Sequence, residues 1–580
     1  MNDGLKEAQR SAIIGVLAKC PKLKRAILFG SRAMGTFTHT SDIDIALEGD
    51  LSLTDQANLA EEIEQLSIPY KVDLVRVKEV SSRELQEHIK KQGKLWYANE
   101  GGTKNEYELT RKEKNLGGAG GKQFLSDLAD FNPSRPIKRG SVASFVDMAS
   151  LPVGERDITS IQHKEFGGSG SRFRNGDTLL ARITPCLENG KTTKVCGLEK
   201  GENAFGSTEF IVLSPKDSKT DEDYIYYLAR HPDFRSFAIS RMEGTSGRQR
   251  VSWQAISEFE FDFPDPEIRV QAGQILRTLD DKIALNRKLN ETLEEMSRAL
   301  FHSWFVDFDP VKAKLAAVRQ GRNPEKACMA ALSGKLRISA GKPKPETLYD
   351  QLPTADELDE AIGLLDTLTK AQRENLAQTA SNFPADFQES ELGLIPEEWE
   401  VRLVESLIDR IPAGKKYAQK TAKESGKIPI LDQGKSGIIG FHDNEPGVTA
   451  SPEDPIIVFA NHTCYMRLIM HDFSTIQNVL PFKGKDRNIF WLYCATYGQQ
   501  EFVEYKGHWP DLMIKLLATP PSSLCDLFGK IVRNSFVNIF ELDKQSSALT
   551  EIRDTLLPKL LSGVISVGKI NASAEGAEVR

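Results

Sequence analysis

The sequence predicts a multidomain α/β protein: an N-terminal α/β domain, then two mixed α/β globules separated by two long helices that form an antiparallel coiled coil. Three observations predict it. A chain of 580 residues is too long for one hydrophobic core and should divide into about three to five domains. Strand-like and helix-like runs alternate in the first hundred residues. Further on, a pattern of apolar helix positions recurs 256 residues downstream (531 − 275): Ile275 matches Ile531, Ile283 matches Ile539, Leu293 matches Leu549, Met296 matches Ile552 and Leu300 matches Leu556. A repeat of that length means that one globule–helix unit was duplicated.

Residues 1–98 form the first unit. A helical stretch from Leu5 to Leu17 precedes the strand Arg25–Phe29 and a Gly-Ser turn; the strand Asp42–Leu47, a helix near Asp55–Leu66 and the strand Lys71–Val77 follow. Residues 99–122, rich in glycine and charge and nearly devoid of apolar side chains, read as a flexible linker. Short alternating runs between Gly-rich loops, such as Asp177–Ile183 and Glu209–Leu213, mark a globule over 123–264. Asp265 is a suitable N-cap and Pro266 suits the first helical position, so a helix spans 265–305, with Ile275, Leu279, Ile283, Leu289, Leu293, Met296 and Leu300 on its stripe and polar Asn286 interrupting it. A partly helical connector occupies 306–391, with one clear helical segment at Asp356–Thr379. The second globule spans 392–519 and the second helix 520–567, opened by Pro520-Pro521-Ser522, with Ile531, Ile539, Leu542, Leu549, Ile552, Leu556 and Leu560 on its stripe. The tail 568–580 is small, polar and expected to be disordered.

Composition narrows the function classes. Hydrophobic residues at 40% and charged residues at 27% are ordinary for a soluble globular protein. A mean hydropathy of −0.37 and the lack of any apolar run of membrane length predict no membrane span, and the N-terminus has no signal-peptide pattern. The seven cysteines are scattered without a CxxC pair, which argues for a reducing cytoplasm and against a zinc or disulfide framework. A net charge of −7 means that any nucleic-acid surface must be local.

The duplication itself suggests a function. Helices of this length span roughly 50–60 Å at ~1.5 Å per residue. Packed antiparallel, they would hold two globules a few tens of Å apart, against ~34 Å for a turn of B-DNA. Asn286 and Gln545 are polar interruptions at different repeat positions, and polar seam residues can fix register. The segments FLSDLADF and LGLIPEEWEVRLVESL at the starts of the globules, ATPPSSLCDLF before the second helix, and the closing PKLLSG (Pro558–Gly563) carry a resemblance. Over residues 123–567 the chain resembles the specificity subunit of type I restriction–modification enzymes. The resemblance implies two target-recognition domains, each reading one half of a bipartite double-stranded DNA sequence, with the helices as a ruler. It also implies docking of two methyltransferase (modification) subunits and, through them, restriction/translocase subunits, with no cofactor for this region itself. The connector is long for a simple spacer. Catalytic motifs of the expected partners are missing: Asn132-Pro133-Ser134 is only a near match to the adenine-methylation motif NPP[YF], and Gly201–Thr208 lacks the lysine of an ATP-binding loop.

DNA contacts are expected from Gly-rich or polar loops bearing Arg, Lys, Asn or Gln. In the first globule these are Arg172, Arg174, Arg182, Lys191 and Lys194, then Arg248, Gln249 and Arg250. In the second they are Lys415, Lys416 and Tyr417, then Asn461, His462, Arg467 and His508.

The N-terminal unit is a different machine. Asp42 and Asp44 lie two apart on a strand and share a face, and Asp73 on another strand could complete a three-carboxylate site. Such a cluster is costly unless it binds a hard cation, and magnesium with a nucleoside triphosphate fits. Backbone donors at Gly30-Ser31 would hold the phosphates. Over about residues 20–80 the segment resembles the minimal nucleotidyltransferases of the polymerase-beta superfamily. The resemblance implies that Asp42 and Asp44 bind Mg2+ with ATP or another triphosphate, that Asp73 helps activate the attacking hydroxyl, that Ser31 contacts phosphate, and that Arg32 helps. Three readings follow: a DNA specificity subunit with an accessory or regulatory transferase domain; an AMP-transferring enzyme of toxin–antitoxin type whose C-terminal region targets it; or a coiled-coil scaffold without DNA contact.

Overall fold

The computed structural model describes residues 5, 7–20, 22–34, 41–49, 51–64, 66, 70–79, 83–98, 123–245, 247–338, 341–434 and 437–565. The expected linker 99–122 and tail 568–580 lie outside the described residues. The chain divides into two compact units, Met1–Gly121 and Lys122–Arg580.

In the first unit, β1 (Leu23–Phe29), β2 (Ile43–Gly49), β3 (Val72–Arg76) and β4 (Lys94–Ala98) form one sheet in the order β3-β2-β1-β4. β1 pairs antiparallel with both β2 and β4, whereas β2 and β3 are parallel. Apolar side chains of β1 and β2 (Leu23, Ala26, Leu28, Ile43, Ile45 and Leu47) are buried with Ile13, Val16 and Leu17 of the first helix, which fixes the sheet's covered face. The register places Asp44 of β2 beside Asp73 of β3 and opposite Phe29 of β1.

The second unit contains two globules, each built on two small sheets. In the first, one sheet runs Thr192–Lys194, Thr178–Ala181, Phe210–Pro215, Ala129–Phe131, and the other Gln162–Glu165, Val142–Val146, Ala204–Gly206, Ser171–Phe173. In the second, a sheet of Ile408–Arg410, Val479–Gly484, Ile456–Ala460 and Met466–Ile469 accompanies one of Ile438–His442, Ile428–Leu431 and Ser474–Thr475. Each globule presents a helix, Ser218–Ala229 or Ile489–Thr496, to the two rods Pro266–Phe305 and Ser522–Leu561.

The rods pack antiparallel, with Gly563 near Pro264, Arg553 on Asp280, Gln545 on Asn286 and Phe528 on Phe301. The repeat is visible in their burial. Ala272, Gly273, Leu276, Asp280, Ser297, Phe301, Trp304 and Phe305 are buried in the first rod, and the residues at the 256-residue offset, Phe528, Gly529, Val532, Phe536, Arg553, Leu557, Leu560 and Leu561, are buried in the second. Gly273 and Gly529 sit where each globule's helix crosses its rod: a Cβ at Gly273 would lie 2.9 Å from Asp223 Cβ, and one at Gly529 2.1 Å from Asn488 Oδ1.

The stripe expected from periodicity is corrected. Leu289 and Ile552 are exposed, as are Met296 (62%) and Ile531 (47%), while the seam carries Asp280, Asn286, Ser297 and Arg553. Each rod faces its partner over part of its length and a globule over another part, so the buried face does not follow a single heptad stripe. Asn286 Nδ2 donates to Gln545 Oε1 at 2.8 Å and to Ser546 Oγ at 3.2 Å; antiparallel pairing is what brings polar residues at unequal repeat positions together.

Residues 306–391 hold more structure than a single helical segment. Helices Asp309–Arg319, Pro324–Leu332, Ala355–Gly363 and Lys370–Ala380 are followed by a hairpin of Phe387–Ser390 and Gly393–Pro396. Their Ala313, Ala316, Ala317, Ala327, Cys328 and Leu358 join one core with Phe305, Phe308, Trp399, Trp491 and Phe528, so the segment is packed against the rod ends and the second globule. Among the described residues, no helix is long and apolar enough to cross a membrane.

Candidate functional site

In the first unit β1 ends at Phe29, and Gly30, with a φ of +70°, turns the chain into the short helix Gly30–Met34. A Cβ there would lie 2.2 Å from Asp44 Oδ2, so only glycine lets the turn lie against the carboxylate. Gly30 N–H donates to His88 Nε2 at 3.3 Å, so the Gly-Ser turn already uses one of the backbone donors expected for phosphate, and His88 joins the site without any signal in the sequence pattern. Burial, then the charges of Asp73 and Asp42, push the Asp44 carboxyl above its ordinary value. That is the electrostatic condition a cation relieves. Asp73 is half-exposed and leans on Lys71 at 2.7 Å, and no group of three His, Cys, Asp or Glu side chains among the described residues is gathered closely enough to enclose a metal ion. The residue types fit a divalent cation; a shell of all three carboxylates would require Asp73 to leave Lys71.

Arg32, expected to help bind nucleotide, is placed otherwise. Its buried guanidinium donates to the carbonyls of Ser41 (2.7 Å) and Asp42 (3.1 Å) and lies 4.2 Å over the Tyr70 ring. It ties the Gly-Ser turn to the start of β2 and so positions Asp42.

Of the expected DNA contacts in the first globule, several are engaged within the protein. Lys194 is buried against Glu222 and Asp223, Lys191 Nζ donates to the Met148 carbonyl at 2.7 Å, Arg172 Nη1 to the Arg135 carbonyl at 3.1 Å, and Arg250 Nη2 meets Glu209 at 2.8 Å. Arg182 is half-buried, and the Gln249 carbonyl accepts from Thr184 N–H at 3.0 Å. Arg174 and Arg248 extend from the surface. Arg172 also lines a cavity of about 450 Å³ with Asn132, Pro133, Ser134 and Thr208, so the near match to the methylation motif is a wall of this recess.

In the second globule Arg467 donates to the carbonyls of Gly437 and Asp432, both at 2.7 Å. His508 is wholly buried, its ring bonded to the Glu504 carbonyl and Asp511, and Asn461 Oδ1 accepts from Trp509 N–H. These two residues hold the loop before Trp509–Met513. His462 stacks on Tyr505 at 5.0 Å. Lys415, Lys416 and Tyr417, by contrast, are brought together in a cavity of about 800 Å³ with Gln419, Gln433, His442, Gln477 and Asn478. The amides among these carry no charge and no periodicity, so a reading that looked for basic clusters passed over them.

Known proteins resemble both units. The model of the polymerase-beta nucleotidyltransferases matches residues 11–101, and that of the type I restriction–modification DNA specificity domain matches residues 174–295. The HindI specificity subunit of Haemophilus influenzae is 25% identical over 440 residues, covering 69% of this chain and 89% of the relative. Over most of its length the chain is thus similar to type I restriction–modification specificity subunits. Its N-terminal unit is similar to the polymerase-beta nucleotidyltransferases. The MjaIX specificity subunit of Methanocaldococcus jannaschii is 23% identical, over 72% of this chain and 83% of its own length. The crystal structure of a type I S subunit from M. genitalium aligns over 76% of this chain and 96% of its own at 14% identity, with a TM-score of 0.40. A toxin–antitoxin structure with AMP-PNP aligns over 18% of this chain and 88% of its own at 30% identity, with a TM-score of 0.15.

Proposed function

We propose that the subunit reads a bipartite duplex DNA sequence, one half per globule, while the rods set the distance between halves. One observation carries this reading: the same eight positions are buried in each rod, and the rods run antiparallel. The first globule therefore meets the rods near Gly273 and the second near Gly529, which lies beside Phe301 of the partner rod. The stretch between those joints, 273 to 301 on one rod, spans ~42 Å at ~1.5 Å per residue, somewhat more than one ~34 Å turn of DNA. The exposed apolar residues Leu285, Leu289, Met296, Ile531 and Ile552 support docking of two methyltransferase subunits on the rods, and of restriction/translocase subunits through them. Double-stranded DNA is the substrate read.

The test is co-expression with the cognate methyltransferase subunits and mapping of adenine methylation on genomic DNA. An asymmetric bipartite motif with one spacer length is the expected result; unmodified DNA despite a stable complex refutes the reading. Within it, Arg250 has to exchange Glu209 for a base. Arg250→Ala then weakens binding to one half-site only, whereas equal weakening for random DNA makes it a phosphate contact.

The N-terminal domain has an accessory or regulatory role as a transferase, and the mutual repulsion of its carboxylates supports a nucleotide site. Asp42 and Asp44 would hold magnesium with ATP or another triphosphate, which supplies the electrophilic phosphorus and its charge neutralisation. Gly30, on releasing His88, and Ser31 would orient the phosphates, and Asp73, on leaving Lys71, would take the proton of the attacking hydroxyl as the nucleotidyl group is transferred and pyrophosphate leaves. ATP-dependent labelling of a partner by the full chain, abolished in Asp42→Ala/Asp44→Ala, is the expected result; no magnesium-dependent nucleotide binding by the wild type refutes it. If labelling occurs while DNA stays unmodified, the transferase is the main activity and the C-terminal region targets it.

A further inference from the structure

The cavity in the second globule is built on a rigid polar floor. His442 is buried, accepts from Asn444 N–H at Nδ1 (3.1 Å) and lies 2.9 Å from Ser474 Oγ through Nε2. With Nδ1 accepting, the ring proton sits on Nε2 and is donated to Ser474, whose hydroxyl also accepts from Gly447 N–H at 2.9 Å. Burial holds the imidazole below its ordinary pKa, so the ring is neutral. Tyr417 stacks on it at 4.2 Å, 8° from parallel, and Lys416 is fastened to buried Thr475 at 2.7 Å. A floor so constrained needs little reorganisation to meet a ligand.

The walls are amides. Gln419, Gln477 and Asn478 are exposed at the cavity, and their side chains have no hydrogen-bond partner among the described residues. Asn478 holds a φ of +63°, and its carbonyl accepts from Asn461 N–H at 2.8 Å, which fixes the turn that presents it. Of the three lysines that line the cavity, Lys416 is held by Thr475 and Lys423 is paired with Asp443 at 2.8 Å, which leaves Lys415 at the rim; among the described residues no arginine lines it. An amide offers a donor beside an acceptor and so matches the N6 donor and N7 acceptor on the major-groove edge of adenine. The two acceptors of guanine call for a guanidinium or ammonium instead.

We infer that this cavity is the base-reading site of the second recognition domain, selecting adenine in the major groove through Gln419, Gln477 and Asn478, with Lys415 on the phosphates. The inference rests on the reading that each globule recognises one half-site. The contrast with the first globule, whose exposed readers are Arg174 and Arg248, assigns different base chemistry to the two halves.

The experiment uses the full chain with its modification subunits. The methylation motif is mapped for the wild type and for Gln477→Ala/Asn478→Ala and Gln419→Ala, and binding is measured on duplexes varied one base pair at a time. The amides lie at the surface, so unchanged melting curves will show that the variants fold. Loss of one bidentate contact lowers discrimination at an A·T pair of one half-site by about 10- to 100-fold and leaves the other half unchanged. Lys415→Ala should weaken all duplexes alike and reduce the slope of log K against log salt by ~0.9. Relaxation at a G·C pair, relaxation in both halves, or an unaltered motif overturns the inference and leaves the bipartite reading standing. A wild type with no bipartite motif overturns both.

Discussion

Arg553→Met removes the counter-charge from Asp280 at the joint between the first globule and the rods. Arg553 is 2% exposed and Asp280 5%, and their closest atoms are 2.7 Å apart. Tyr227 OH donates to the other carboxylate oxygen at 2.7 Å; burial, with the Asp280 charge beside it, raises the phenol's pKa, so it remains a donor. At an effective dielectric of ~20, two charges ~2.7 Å apart attract by about 6 kcal/mol, and desolvating the two ions costs a comparable amount. The intact pair is thus nearly neutral for stability, whereas breaking it strands a buried carboxylate at a cost of about 3–5 kcal/mol. Retention of the Tyr227 bond puts the single variant near the lower figure, ~3 kcal/mol. The repeat shows that an uncharged solution fits the same backbone, because at the second joint Phe536 and Ser297 stand where Asp280 and Arg553 stand at the first. The triple variant Asp280→Leu/Arg553→Met/Tyr227→Phe should therefore lie within about 1 kcal/mol of the wild type. A multidomain chain does not unfold in one step, so the assay is native-state hydrogen exchange at the amides of Tyr224–Ala229. Exchange there should quicken roughly 100-fold or more in Arg553→Met and little in the triple variant. A single variant no costlier than the triple one would refute the reasoning. The pair also specifies partnering: a rod paired with a copy of itself would set Asp280 against Ser297 and leave the charge unmatched.

Gly529→Ala gains ~1 kcal/mol of helix propensity but drives a methyl group onto Asn488, whose Oδ1 accepts from Phe490 N–H at 3.0 Å at the start of Ile489–Thr496. Overpacking and a damaged cap should leave the second globule about 1–3 kcal/mol less stable, read as faster exchange along that helix. Because burial lowers the folded-state pKa of His442 below the unfolded ~6.5, the unfolded chain binds the proton more readily. Stability is therefore full above that value and lost as pH falls through it toward the folded value. Exchange in Ile438–His442 should accelerate on going from about pH 7.5 to 5.5, and His442→Gln should flatten the dependence. Since the Asp44 pKa is raised, a divalent cation competes with a proton there, so magnesium-dependent nucleotide binding should strengthen with rising pH until Asp44 is fully ionised. Titration calorimetry would check this, and Asp44→Asn should abolish the binding.

The duplication, the two long helices and the carboxylate pattern of Asp42, Asp44 and Asp73 were legible in the sequence. Helical periodicity and strand alternation are local consequences of chain geometry, and a repeat offset survives whatever the fold does with it. Tertiary structure alone decided which charged side chains remain available. Lys194, Arg250 and Arg467 look like free cations in the sequence, yet each finds its acceptor on a segment distant in the chain. It also decided the seam, where antiparallel pairing joins Asp280 to Arg553 and Asn286 to Gln545. The amide cavity assembles because Lys416 bridges in parallel to Thr475, with Tyr417 N–H donating to the Thr475 carbonyl at 3.1 Å, which brings Gln477 and Asn478 to the loop of Lys415–Gln419. Periodicity is set between neighbours in the chain, whereas the burial of a charge or the convergence of amides depends on which strand lies opposite.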